Sequence, residues 1–204
     1  MDRVVQRRRR KVSSRAVPCP EGTFQDLILG ANAQERAWWL LGGMAGFVGM
    51  EAARMEAEDV IMECREDGLP ALSVTDRFNR TYEVPCAPVI LAALKPHIED
   101  VGSGLLWPEW HSERIHRALL RSADGRLGHR VRFQDLRMRF KQRVYEESQD
   151  MAMTFRLSRS TSAAGGIFLT APWYRQREVI DSLSRQLESA LESAQTRSRF
   201  PACS

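Results

Sequence analysis

The sequence predicts a mainly α-helical domain carrying a small three-stranded antiparallel β-sheet, and three observations lead there. Apolar residues recur at spacings of three and four along most of the chain, the period of a helix with one buried face. Between residues 60 and 85 that period gives way to VIMEC (60–64), ALSVT (71–75) and RTYEVP (80–85). These are short β-rich runs separated by the turn formers Asp67-Gly68 and Phe78-Asn79. With 204 residues and 43% hydrophobic content the chain can bury one core, so a single domain with tails is expected.

Residues 1–19 are expected to form a basic, disordered tail. Arg3, Arg7, Arg8, Arg9, Arg10, Lys11 and Arg15 face a single Asp2, and Pro18 and Pro20 mark the boundary. The folded part is expected over 20–176. It opens with a helix capped by Thr23, whose Phe24, Leu27 and Ile28 share a face. A second helix spans ERAWWLLGGMAGFVGMEAARM with Trp38, Leu41, Ala45 and Val48 at helical spacing. Gly42, Gly43, Gly46 and Gly49 should weaken it or break it in two, and close helix packing explains them better than a phosphate loop, because no GK[ST] ending follows.

The three strands come next, then VILAALKPHI as a helix stopped near Pro96, and LLWPEW as a loop or short strand with buried aromatics. SERIHRALLRSA follows as a helix with Ile115, Leu119 and Leu120 inward. Residues 126–143 carry Arg126, Arg130, Arg132, Arg137, Arg139, Lys141 and Arg143, with His129 beside them and only Asp135 opposing. Leu136, Phe140 and Val144 supply an apolar stripe, so the cations are expected on the remaining faces as a phosphate-contacting surface. A long helix then runs from Pro172 to Thr196. Its stripe of Ile180, Leu183, Leu187, Ala190 and Ala194 suits packing on the domain or on a partner subunit, with 177–204 as a C-terminal helix and frayed end.

Composition excludes several classes. No apolar run approaches the roughly 20 residues of a membrane span, and the basic N-terminus lacks the apolar core of a secretory signal. Cys19, Cys64, Cys86 and Cys203 are too scattered for a zinc pattern and read as free thiols, so no metal or cofactor is expected. Net charge is +4, and its cations are mainly clustered Arg, which suits a polyanion.

The order of segments carries more than any of them alone. Gly46-Phe47-Val48-Gly49-Met50-Glu51 lies where a G-L-R-x-x-E signature would fall. Thr75-Asp76 and Glu83-Val84-Pro85 match a T-K turn and strand exit, Gln134-Asp135-Leu136-Arg137 matches H-D-L-R, and Leu157-Ser158-Arg159-Ser160 matches L-G-H-S. This order resembles the catalytic domain of the tyrosine recombinases, or phage-type integrases, over about residues 20–185.

The resemblance implies a chemistry. In that family a Tyr hydroxyl attacks a DNA phosphodiester to form a 3′-phosphotyrosyl bond. Two Arg and a His or Trp stabilise the charge that builds on phosphate, and a Lys protonates the leaving 5′ oxygen. Here the first Arg position is Val48, the Lys position Asp76, the first His Gln134, the second His Arg159 and the nucleophile Phe168. Only Arg137 keeps its family identity. Phe has no hydroxyl, Val cannot donate to phosphate and Asp repels it. Loss of one preorganised donor costs roughly 3 kcal/mol of barrier, and loss of several with the nucleophile leaves no reaction.

The resemblance therefore implies a catalytically inactive, recombinase-like DNA-binding protein, a regulator or accessory factor of a bacterial mobile element, cytoplasmic and nucleoid-associated. The family's N-terminal clamp domain has no counterpart before residue 20, so double-stranded DNA would be held by Arg7, Arg8, Arg9 and Arg10, by the 126–143 face and by Arg156 and Arg159. Arg137 has two readings, residual phosphate binding or a structural pair with Glu51 or Asp59. Two other functions remain open. One is an interaction module that uses residues 178–196 in a homo-oligomer or on an active recombinase. The other is a divergent enzyme using Tyr174, with Arg77 or Arg80 for the missing Lys.

Overall fold

A computed structural model describes residues 16–76, 78–128, 130–160 and 171–199. The described chain forms α1 (Glu21–Gly30), α2 (Ala33–Ala45), α3 (Gly49–Ala53), a 3-10 turn (Ala57–Asp59), β1 (Val60–Ile61), β2 (Ala71–Thr75) and β3 (Thr81–Pro85). It continues through α4 (Pro88–Val101), α5 (Ser112–Leu127), α6 (Phe133–Ser148), α7 (Met151–Leu157) and α8 (Trp173–Arg199). The class is the expected one, a mostly helical fold with a three-stranded antiparallel sheet in the order β1-β2-β3.

The core is built around α2. Its residues from Ala37 to Ala45 are all buried, and it packs against α1, α4, α6 and α8. The glycines permit that crowding. A Cβ on Gly43 would lie 2.3 Å from the Phe24 ring, and one on Gly42 would lie 2.8 Å from Leu136 Cδ1. Gly46 takes φ +65° and ends the helix, so the expected break falls there and α3 begins three residues later. Trp38 packs edge-on against Trp107 at 5.8 Å and tilted against Trp110 at 4.9 Å, which anchors the 105–110 loop.

In the sheet, Ala71 to Thr75 pair with Pro85 back to Thr81. β1 is shorter than VIMEC suggested. Only Val60 and Ile61 join the ladder, because Cys64 exchanges backbone bonds with Leu69 and Gly68 and turns the chain away. Gly68 and Asn79, both at positive φ, make the two expected turns.

Other boundaries differ from the sequence reading. Thr23 does not cap α1, which already starts at Glu21 after Pro20. α4 does not stop near Pro96 but continues to Val101, because Pro96 is exposed while Ile98 and Val101 beyond it pack on the core. In α5 the inward residues are Ile115, Leu119 and Ala123, and Leu120 is only half-buried.

α8 starts at Trp173, inside the span assigned to the main domain, and docks against α1, α2, α4, α6 and β3. Its Ile180, Leu183 and Leu187 are each at most 3% exposed, so this chain's own core takes that part of the apolar stripe. Arg177 pins the helix start by donating to Asp67, Pro70 O and Cys86 O, while Trp173 Nε1 donates to Asp67 at 2.7 Å. Cys19, Cys64 and Cys86 are buried and unpaired, and burial pushes the Cys19 and Cys86 thiols up to about 12. Cys203 and the 1–15 tail lie outside the described residues. No described helix is long and apolar enough to cross a membrane.

Gly43→Ala is expected to lower unfolding stability by at least about 1–3 kcal/mol in urea titrations, since the Phe24 ring must move. Gly125→Ala, in the last turn of α5 with open space around it, should instead stabilise by up to about 1 kcal/mol.

Candidate functional site

Three positions that carry the resemblance, Glu51, Arg137 and Arg159, meet at the C-terminal end of α2. That end is buried, so its last carbonyls cannot turn to water and need protein donors. Three arginines supply them. From α6, Arg139 Nη1 donates to Gly43 O at 2.7 Å and Arg137 Nη1 to Gly46 O at 2.6 Å. From the turn after α7, Arg159 Nη1 donates to Ala45 O and Nη2 to Gly46 O, both at 3.0 Å. Arg137 Nη2 also donates to Ser158 O, tying α6 to the same turn.

Charge balance comes from two glutamates. Glu51, on α3, accepts from Arg159 at 2.9 Å and stands 3.6 Å from Arg137, while its Oε2 also accepts the Val48 N–H at 2.9 Å and so caps its own helix. Glu21 accepts from Arg139 at 2.6 Å, and the Arg139 guanidinium lies 3.9 Å from the centre of the Phe24 ring. Arg159 holds φ +52°, a left-handed backbone that costs a non-glycine residue roughly 1–2 kcal/mol, so its side-chain bonds must offset that strain. Burial, and then the neighbouring Arg159, push the Arg137 pKa down to about 10 despite Glu51, and burial lowers Arg159 and Arg139 too. Arg137 therefore remains a cation at neutral pH.

The other signature positions do not join this cluster. Val48 is half-buried at the cap of α3, and Gln134 is exposed on α6. Asp76 is a turn residue: its carboxylate accepts the backbone N–H groups of Phe78 at 2.7 Å and Arg80 at 3.1 Å, and the Arg80 side chain at 2.7 Å. Burial alone would raise the Asp76 pKa, but the bonds from Arg80 and Phe78 outweigh it and hold the carboxyl below its usual range. Arg80 is thereby engaged with Asp76, whereas Arg77 and Phe168 lie outside the described residues. Tyr174 is 63% exposed on the first turn of α8.

The expectation that the 126–143 cations line the outer faces is corrected in part. Arg139 and Arg137 flank the apolar stripe and face inward, with side chains 4% and 12% exposed, because α2's carbonyls draw them there. Arg126 donates to Glu35 at 2.7 Å and Leu27 O, Arg132 clasps Asp135 through two bonds, and Arg143 meets Glu146 at 2.9 Å and Gln186. Arg130 is exposed, and Lys141 and Arg156 are half-buried; His129 is outside the described residues. Arg159, also expected on DNA, has a side chain 0% exposed.

The sequence reading passed over one basic surface. Arg114, Arg117 and Arg121 project from α5 at spacings of three and four and are exposed. Arg114 stacks on Trp110 at 4.4 Å and donates to Glu109 O, and Arg117 stands 3.5 Å from Glu113. Their helical spacing is legible in SERIHRALLRSA, though their charge is less dense than that of the run over 126–143. Among the described residues no group of three or more His, Cys, Asp or Glu is placed to hold a metal ion.

No protein-family profile and no curated protein matches the sequence. Among solved structures, the integrase from mycobacterium phage Brujita aligns with a TM-score of 0.68 and 20% identity, covering 86% of this chain. The fold is integrase-like. The chain spans 60% of that integrase's length, and at such identity the likeness concerns architecture alone. Within this integrase-like fold, the Arg137 that matches the family pattern points at the protein's own carbonyls.

Arg159→Ala should cost about 3–5 kcal/mol of unfolding stability, since it breaks a buried ion pair, while Gln134→Ala on the exposed face should change it by less than about 0.5 kcal/mol. Burial raises the Asp135 pKa, but Arg132 and the Val17 N–H lower it further, so the folded value lies below the unfolded one. The stability it contributes is present above roughly pH 4 and is lost as pH falls through the folded value. Asp135→Asn is expected to reduce stability at pH 7 and to flatten the acid limb below about pH 4 in pH-dependent urea titrations.

Proposed function

We propose that this chain is a catalytically inactive, recombinase-like protein that binds duplex DNA through phosphate, acting as a regulator or accessory factor of a mobile element. The observation that carries the reading is the state of Arg137. It is the one residue matching the family's phosphate-holding set, and both its terminal nitrogens are bonded to main-chain carbonyls beside Glu51. The replacements at Val48, Asp76, Gln134, Arg159 and Phe168 support it further, since none supplies a Tyr nucleophile, a Lys acid or a free cation.

DNA contact then belongs to the exposed Arg114–Arg117–Arg121 face of α5 and Arg130, with the half-buried Lys141 and Arg156 adding charge, and to the Arg7 to Arg10 run of the sequence, which lies outside the described residues. The pair of Arg117 with Glu113 is solvent-exposed and worth little, so a phosphate can displace it. Each phosphate neutralised releases counterions, and binding weakens steeply with salt and depends little on sequence.

Gel shifts on random-sequence duplex at low salt should show binding. Replacing Arg114, Arg117 and Arg121 together by Ala should weaken it and reduce the log–log salt slope by up to about 3, at roughly one per lost contact. No shift at low salt would sink the DNA reading. A nicked suicide substrate should give no covalent adduct; an adduct that disappears in Tyr174→Phe would mean the chain is an enzyme after all.

A further inference from the structure

We propose that Glu51 is a built-in counter-anion that closes the Arg137–Arg159 pair to external phosphate, so that the anion site is occupied by the chain's own carboxylate. The two guanidiniums lie side by side, because both donate to Gly46 O, Arg137 at 2.6 Å and Arg159 at 3.0 Å. Their side chains are 12% and 0% exposed, and two like charges held this close away from water need an anion beside them.

Glu51 supplies that anion through a single atom. Oε2 accepts from Arg159 at 2.9 Å, stands 3.6 Å from Arg137 and accepts the Val48 N–H at 2.9 Å, so α3 fixes its position. Oε1 takes none of these bonds. Glu51 also lines a cavity of about 240 Å³ between α3 and β2, together with Arg54, Glu56 and Asp59, whose walls include neither Arg137 nor Arg159.

Carboxylate and phosphate oxygens offer a guanidinium equivalent acceptors, and they compete for the same donors. The tethered carboxylate acts at an effective concentration on the order of millimolar or more, against which dilute free phosphate does not prevail. Removing its charge leaves two buried cations unneutralised, and an external anion then binds with a gain in stability. This inference stands apart from DNA binding by the exposed arginines, which can fail while the closed pair remains, and the reverse.

The test is thermal unfolding of the full chain in sodium phosphate and in sodium chloride at matched ionic strength, for the wild type, Glu51→Gln and Glu51→Asp. The wild type is expected to show only the general stabilising effect of phosphate as a salt. Glu51→Gln is expected to be less stable in chloride and to gain at least about 3 °C more than the wild type from about 50 mM phosphate. Adding Arg137→Met to Glu51→Gln should remove that extra gain.

Equal phosphate gains in the wild type and a folded Glu51→Gln would overturn the proposal. Folding of Glu51→Gln in phosphate but not in chloride counts as the gain. If it folds in neither salt, Glu51→Asp decides: with the carboxylate drawn back by one methylene it should show a smaller phosphate-specific gain. No such gain, or failure of both variants in both salts, overturns the idea, since phosphate then cannot take the carboxylate's place.

Discussion

A helix that ends inside a protein leaves its last carbonyls without water, and the rest of this fold is arranged around one such end. α2 runs through the centre and stops at Gly46, with Phe47 beyond it 1% exposed. Arg137, Arg139 and Arg159 donate to Gly43, Ala45 and Gly46 from two different parts of the chain, and the negative end of the helix dipole favours cations there. The arrangement ties α6 and the turn after α7 to the α2–α3 junction. Its cost is the desolvation of three guanidiniums, and Glu51 and Glu21 offset that cost only because they add hydrogen bonds to charge.

The same constraint changes the meaning of the basic segment. A run of cations on an amphipathic helix suggests a face laid against phosphate, yet α6 turns two of its arginines inward and pairs Arg132 and Arg143 with carboxylates. Asp76 makes a similar point on the sheet. In the resemblance it stands where a proton donor would be, and in the fold it organises the turn between β2 and β3 by accepting from Phe78 and Arg80. Asp76, Arg137 and Arg159, polar residues at signature positions, thus take structural bonds within this fold. Among the described residues, Arg114, Arg117 and Arg121 form an exposed basic row on α5, where Trp110 steadies Arg114 from one side.

What the sequence by itself determined was set by local periodicity and by steric demands close along the chain. The spacing of Phe24, Leu27 and Ile28 gave the face of α1, the glycines gave the break between α2 and α3, and Asp67-Gly68 and Phe78-Asn79 gave the two turns of the sheet. The order of the signature segments was enough to reach the integrase-like fold, which the likeness to the phage Brujita integrase bears out. Only the tertiary structure decided where α4 ends, that Ile180, Leu183 and Leu187 lie on the chain's own core, and which arginines face water. The physical reason is range: Arg139 and Gly43 are 96 positions apart, as Arg159 and Glu51 are 108, and the direction of a long charged side chain depends on the unsatisfied partner that folding brings within reach.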